Sequence, residues 1–438
     1  MKIKTLIILV LLIPVSGKSY SQHSIEYNRN YIVSKLNSNE LNNLYSNTYY
    51  SVLDRLDSDG YFPESIIEGT TYPGMYPRTI GALILLFIET GRYEEAERSL
   101  KCLLDFMKNK GLYYVPHVVN KENGKLILED DIFQIDAQAH IILGWSRLAL
   151  EGKNKEFIDT SWLQVAELMD KTCDRGNLLY SRWSGAPKLV LNTAFEHSRE
   201  GHYWVTYDLL TQSFVGAALD NMIKLAKLRN DNTHAKHWDE KLRILSEGIN
   251  NNMLLERDGK QTYIEMLIPN GNGGNKYTGM GWVNFSPVAA GWQCMDQQVL
   301  VNTVDYMEKN YLQSTNGIYW MPTDIFPDGK FVNEVVGKGI GWQLDFARIT
   351  DNNKRIYEIL DLIDVSNKGS RVYMEFAWLD GNGYKRNTRI TNEDVLGKMK
   401  DLKWKMREAG NGEQNVWFCW AIARLRKSMG LNAEPKRI

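Results

Sequence analysis

Residues 77–114 read PRTIGALILLFIETGRYEEAERSLKCLLDFMKNKGLYY. Apolar residues recur at helical spacing on both sides of the short break TGRYEE, which predicts two helices near 77–90 and 93–109. A break this short forces the two to pack antiparallel as a hairpin. Gly111 then ends the second helix, and Tyr113 and Tyr114 follow within three residues.

Working outward, the same grammar covers most of the chain. Further helices are predicted near 39–56, 132–150, 156–174, 205–229, 233–254, 284–292, 295–310, 338–350, 353–365 and 413–428. Strand-like alternation is confined to short pieces. The links EGKNKE, NDNTH and TDNNK are as brief as TGRYEE, whereas the intervening connections are long, so the long segments collect at one end of the molecule. Long loops of that kind usually carry function. They also share a pattern, a Gly followed by aromatics, at Gly60, Gly111, Gly176, Gly259, Gly317 and Gly369, with intervals of 51, 65, 83, 58 and 52 residues. The Gly suits a left-handed helix cap and the residues after it a short extended segment. Helix-pair repeats can build an open solenoid. Six pairs, with the twelfth helix free to pack beside the first, favour an all-α closed ring, an (α/α)6 toroid with long loops and short strands on one rim.

The ends and the composition set the context. Lys2 and Lys4, an apolar run from Leu6 to Val15 and small or polar residues to Gln22 have the build of a secretory signal peptide. The expectation is a leader over 1–21, a single catalytic domain over 22–438, and a periplasmic or secreted product. The apolar run is too short for a bilayer core of roughly 30 Å, so no integral membrane segment is expected after cleavage. Loss of Lys2, Lys4 and Lys18 leaves 49 basic residues against 53 acidic ones, a balance that argues against nucleic acid as a partner. Cys102, Cys173, Cys294 and Cys419 lie far apart with no metal-ligand spacing, and are read as buried apolar side chains with disulfides left open. No metal and no cofactor are expected.

Chemistry concentrates first in 192–225, NTAFEHSREGHYWVTYDLLTQSFVGAALDNMIKL, where a polar, aromatic loop runs into an apolar helix. Glu196 there has Phe195, His197, Arg199, Tyr203 and Trp204 for company, which supplies rings to stack on, donors for hydroxyls and the desolvation that raises a carboxyl pKa. Aromatics in the other long loops, among them Trp282, Trp320 and Trp378, offer further faces for sugar rings, although such residues are also ordinary core material.

Phe195, Glu196, Arg199, Gly201 and Tyr207, followed by Ala218, Leu219 and Asp220, resemble the acid-bearing loop of the glucoamylase-like family within the six-hairpin glycosidases, with Phe195 where that family has Trp. The resemblance implies a glycoside hydrolase acting on an oligo- or polysaccharide, with Glu196 as general acid and inversion at the anomeric carbon. In inverting enzymes the second carboxylate stands roughly 6.5–9.5 Å from the first and activates water. The family's base resembles Glu375 in GSRVYMEFAWLDG; Glu413, Glu408 and Glu393 compete for the role. PGMYPRTIGALILLF resembles the helix that carries the family's Arg and Asp sugar-binding pair: Arg78 is kept, and Thr79 stands where the Asp belongs. DDIFQIDAQAHIILGW resembles an opening shared by six-hairpin enzymes, which puts Asp136 at the central cavity and makes it the rival catalytic group of an unsaturated glucuronyl hydrolase. Arg199, Trp204 and Tyr207 complete the expected substrate contacts. A polysaccharide lyase, with His197, Tyr203 or Tyr207 as base and Arg199 neutralising a uronate, and a non-catalytic glycan-binding protein remain open.

Overall fold

The computed structural model describes residues 22–67, 72–175, 187–194, 205–270, 274–292, 295–407 and 410–438. Its helices, in chain order, are α1 (Gln22–Leu36), α2 (Asn39–Arg55), α3 (Pro77–Thr90), α4 (Tyr93–Lys110), α5 (Ile135–Glu151), α6 (Lys155–Arg175) and α7 (Leu209–Leu228). They continue with α8 (Asn232–Asn252), α9 (Ser286–Ala290), α10 (Gln297–Tyr311), α11 (Gly337–Ile349), α12 (Asn353–Ser366), α13 (Asn392–Lys398) and α14 (Gly412–Ser428). The predicted helices are all present to within a few residues. α1 and α13 were not foreseen, and the helix expected over 284–292 is a 3-10 turn at Trp282–Phe285 followed by the five-residue α9, cut off at Gly291 in the left-handed region.

Composition sorts the helices into two layers. α5 is buried without interruption from Ile135 to Ser146 and α14 from Gly412 to Ala423, so neither has a solvent face, as expected of helices packed on all sides. α4 and α8 instead bury one stripe each. The packing is cyclic: α3 lies on α5, α5 on α7, α7 on α9, α9 on α11, α11 on α14, and α14 returns to α3. α4, α6, α8, α12 and α2 pack outside α3, α5, α7, α11 and α14 respectively. The α3–α5 contact needs glycine, because a Cβ on Gly81 would stand 2.5 Å from the carbonyl oxygen of His140.

The sheets are small, of two to four short strands, and lie in the long connections. Of the six glycines of the repeated pattern, Gly60, Gly111, Gly259, Gly317 and Gly369 have positive φ, and Gly176 lies outside the described residues. Only Gly111 of these caps a helix. Gly259 and Gly317 turn the hairpins Leu254–Arg257/Lys260–Tyr263 and Gln313–Thr315/Ile318–Trp320, so the cap reading is corrected there to a hairpin turn. Among the described residues, no helix is long and apolar enough to cross a membrane. Cys102, Cys173 and Cys419 are buried free thiols; Cys294 lies outside the described residues.

The centre of the ring is layered by helical periodicity. Arg78, Asp136, Leu210, Lys338 and Glu413 are each the second residue of α3, α5, α7, α11 and α14. One turn on, at i+4, stand His140, Phe214, Trp342 and Trp417, which pack together: His140 stacks on Phe214 at 3.7 Å and Trp342 meets Trp417 edge-on at 5.3 Å. Residues four apart share a helix face, so a polar layer sits directly over an aromatic one. Burial pushes His140 down to about 3, so it belongs to the aromatic layer as a neutral ring, its Nδ1 2.7 Å from the Asp136 carbonyl oxygen. Each large ring removes about 150–250 Å² from water, worth about 4–6 kcal/mol before the entropy of ordering is subtracted.

Candidate active site

Above the aromatic layer, at the N-terminal ends of the inner helices, lies a cavity of about 430 Å³. Its wall includes Arg78 from α3, Leu210 from α7, Trp282 from the 3-10 turn, Lys338 from α11 and Glu413 from α14, together with Glu375 from the connection between α12 and α13. Helix N-termini carry partial positive charge, and this convergence makes a cluster of carboxyl groups tolerable there.

Glu375 is fixed by its backbone. It sits at the start of strand Phe376–Asp380, which runs between strands Glu334–Val336 and Lys403–Arg407. Its N–H donates to the Arg407 carbonyl at 3.0 Å, and its carbonyl accepts from Gly337 N–H at 3.0 Å, which ties it to the first turn of α11. The residue is 4% exposed. Tyr72 OH donates to Oε1 at the long distance of 3.5 Å, and Arg407 Nε stands 3.3 Å from Oε2 without hydrogen-bond alignment. Burial holds the Glu375 carboxyl above the usual glutamate range, against the pull of Arg407 and Arg386.

Glu413 is held very differently. Arg78 Nε donates to Oε1 at 3.1 Å, and Lys338 Nζ reaches both carboxylate oxygens at 3.0 Å. Lys338 also stands over the Trp282 ring, 4.3 Å from its centre. Arg78 extends the network through Nη1 to Asp136 Oδ2 at 3.2 Å. Asn192 donates to Asp136 Oδ1 at 3.2 Å and to Thr211 at 3.1 Å, and Thr211 donates to Asp208 at 2.8 Å. A belt of polar contacts therefore links α7, α5, α3, α14 and α11. Farther out on the wall, Arg386 Nε donates to Glu334 Oε2 at 2.6 Å and lies over Phe376 at 3.9 Å.

Of the residues expected from sequence, Arg78, Trp282 and Glu375 meet at this cavity, and so does Glu413, the competing base. Asp136 is buried behind Arg78 and steadies the guanidinium rather than lining the wall. Trp378 pairs across the ladder with Glu334 and shares its face of the sheet, one step outward from Phe376. Tyr207 is buried in a two-residue strand paired with Leu267, off the cavity wall. Trp320 has no exposed surface: it donates to Thr315 and packs on Trp404 and Phe331, a core residue because its strand faces the body of the molecule. Glu393 is exposed on α13. Glu196, Arg199 and Trp204, with His197, Tyr203 and Glu408, lie outside the described residues. Among the described residues, no group of three or more His, Cys, Asp or Glu could hold a metal ion.

Sequence reasoning missed Lys338, Glu64, Glu334 and Arg386 as wall residues. Lys338 was within reach, since it opens its helix in the same position as Arg78, Asp136 and Glu413. Glu334 and Arg386 meet across 52 residues of chain, a pairing that periodicity does not report.

No family model and no curated protein matches the sequence. Solved structures do match. A bacterial glucoamylase complexed with acarbose superposes with a TM-score of 0.60 at 14% identity, over 94% of this chain and 58% of that one. A metal-independent alpha-mannosidase from Streptococcus pneumoniae, in a non-productive complex with alpha-1,6-mannobiose, gives 0.58 at 13% identity, over 94% and 99% of the two chains. A rhamnosidase from Klebsiella oxytoca with rhamnose bound gives 0.52 at 11% identity, over 87% and 64%. The chain thus spans well under two thirds of the glucoamylase's length. At these identities the likeness concerns architecture: the chain shares the helical fold of these glycosidases.

Proposed function

We propose that this protein is an exported glycoside hydrolase built on an (α/α)6 toroid, and that it cleaves by inversion with Glu196 as general acid and Glu375 as general base. One observation carries the reading: a buried Glu375 carboxyl on the cavity wall whose Oε2 receives no hydrogen bond from the described residues. A carboxylate left that way can take a proton from water, and burial raises its affinity for that proton. Attack by the water at the anomeric carbon, with proton delivery to the leaving oxygen by Glu196, completes an inverting displacement. The reading extends to a leader over 1–21 and a periplasmic or secreted protein.

Among the described residues, which do not include Arg199, the charge pattern of the wall favours a neutral sugar. Arg78, Lys338 and Arg386 on the wall each meet a carboxyl group of the protein, so their charge is balanced before any substrate arrives. Uronate chemistry, whether hydration or lyase elimination, asks for a cation that the protein leaves to the substrate. The test is turnover of a panel of neutral and acidic oligosaccharides by the wild type, Glu196→Gln and Glu375→Gln. Hydrolysis that survives intact in Glu375→Gln, or product absorbing in the ultraviolet through a new double bond, overturns the reading.

A further inference from the structure

The inner helices have a second end, and a second cavity opens there. It has a volume of about 380 Å³ and is walled by the C-terminal halves of α3, α5, α11 and α14, by α9 and by the start of α10. Helical spacing relates the two cavities. Arg78, Lys338 and Glu413 line the first, and Leu85, Asp345 and Trp420, each seven residues further along the same helix, line the second. Seven residues make about two turns, so the same helix faces serve both ends, with His140, Phe214, Trp342 and Trp417 packed between them. Three polar groups on this second wall lack partners among the described residues. Trp292 is 3% exposed, its ring laid on α7 so closely that a Cβ on Gly216 would fall 2.5 Å from it, and its indole N–H meets no acceptor. Arg147 donates to the Gly291 carbonyl at 3.1 Å and the Ala290 carbonyl at 3.4 Å, both through Nη2, and its Nε has no acceptor. Asp345 takes Arg348 Nε at 2.6 Å and Arg424 Nε at 3.0 Å on Oδ1, while its Oδ2 accepts from nothing. Buried polar groups are ordinarily matched, by protein, water or a ligand.

We propose that this cavity is a second, non-catalytic site that takes a neutral sugar of one or two rings. A hydroxyl both donates and accepts, so the hydroxyls of one sugar can serve the Trp292 and Arg147 donors and the Asp345 acceptor together. A simple ion cannot. An anion would meet Glu89, Glu151 and Asp345 on the wall, and a cation would meet Arg147 and Arg424. Much of this charge is already matched within the protein, since Arg424 reaches both Asp345 and Glu89, and Lys427 reaches Glu89 as well. Leu85, Ile88 and Leu300 supply the apolar surface that the C–H faces of a pyranose require, and the volume falls in the range of small-molecule cavities, roughly 300–1,000 Å³. The site stands apart from the catalytic reading, because no residue on the wall of the first cavity takes part in it.

The experiment reads the site through its own indole. In wild-type protein carrying ¹⁵N-labelled tryptophan, the Trp292 indole resonance is identified by its loss in Trp292→Phe, and glucose, mannose and rhamnose are titrated in turn. At least one of them shifts that resonance saturably, and glucuronate binds at least about 10-fold more weakly than the best of them, because its carboxylate faces those of the wall. Ile349 and Gln297 are exposed residues on the rim, so Ile349→Trp and Gln297→Trp each place a ring across the mouth without touching the three unpartnered groups. Each weakens the response by about 10-fold or more through steric exclusion, while the other indole resonances keep their positions and report an intact fold. A Trp292 resonance that none of the sugars moves overturns the proposal, since water then suffices for the three groups. So does a response that keeps its full affinity in both rim variants, or one that is stronger for glucuronate. Failure of the glycosidase reading leaves each of these outcomes unaffected.

Discussion

Glu375 and Glu413 are buried to the same degree on one wall, yet their surroundings differ. Glu413 is gripped by two cations, and Glu375 has one distant hydroxyl and one misaligned guanidinium. Glu375→Gln should lower hydrolysis by about 10²–10⁴-fold, the usual worth of a general base, with helical circular dichroism unchanged. Because its folded pKa is raised, any stability it contributes is present below the unfolded value and is lost as pH rises through the folded value. The Gln variant should therefore melt no lower than wild type at neutral pH, and the acidic limb of the wild-type pH–rate profile should lie above the ordinary glutamate range. Glu413→Gln should behave differently. It takes from buried Lys338 its carboxylate partner and leaves Arg78 to Asp136, which costs about 3–5 kcal/mol and is readable as a loss of melting temperature. If Glu413→Gln kills activity without lowering the melting temperature, the two roles must be exchanged.

At the scale of elements, the inner helices had to bring polar first turns to one end while burying nearly everything else, and α7 illustrates how. Asp208 caps it, its Oδ1 accepting from Thr211 N–H at 2.6 Å, although the residue has no exposed surface. Burial and the nearby Asp136 push Asp208 up to about 7. Its stabilising contribution is full below the ordinary aspartate value of 3.8 and fades as pH climbs towards 7, since the folded protein binds the proton more tightly than the unfolded chain. Asp208→Asn keeps the cap and should gain melting temperature relative to wild type across that window; Asp208→Ala loses the cap and should lie about 1 kcal/mol below the Asn variant at any pH. A parallel pH dependence in wild type and Asn variant would count against this account. The helices themselves were legible because periodicity, short links and the glycines mark them locally. α13 was missed because it spans only seven residues, and the strands because most are too short for alternation to register. The site was legible in part for a related reason. Arg78, Trp282, Glu375 and Glu413 stand out by residue type, but Arg78 and Glu413 are 335 residues apart, and nothing in the order of residues reports that they touch. The same holds for Thr79 and Glu64, to which its hydroxyl donates.

For the whole molecule the difficult step is closure, since the last inner helix must return to the first, and the chain end is what secures the joint. Beyond α14 the tail crosses α2: Tyr45 OH donates to the Ala433 carbonyl at 2.5 Å, Ser46 to that of Lys436 at 2.8 Å and Tyr50 to that of Pro435 at 2.9 Å. Arg92, at the link between α3 and α4, donates through Nε to Glu434 at 3.2 Å. Residues near the C-terminus are thus bonded to partners more than 380 positions earlier, across the same seam where α14 meets α3 and α2. Each contact is worth only about 0.5–1.5 kcal/mol, but together they tie the α2 and α3–α4 segments to the closing helix. Removing residues 432–438 should lower the melting temperature by several degrees. Hydrogen exchange should quicken first in α2, because that helix loses partners on its buried face while α7 and α8, on the far side of the ring, lose none. Uniformly faster exchange around the ring would mean that closure is governed by the aromatic layer alone, and unchanged exchange in α2 would mean that the tail is only a passenger on the seam.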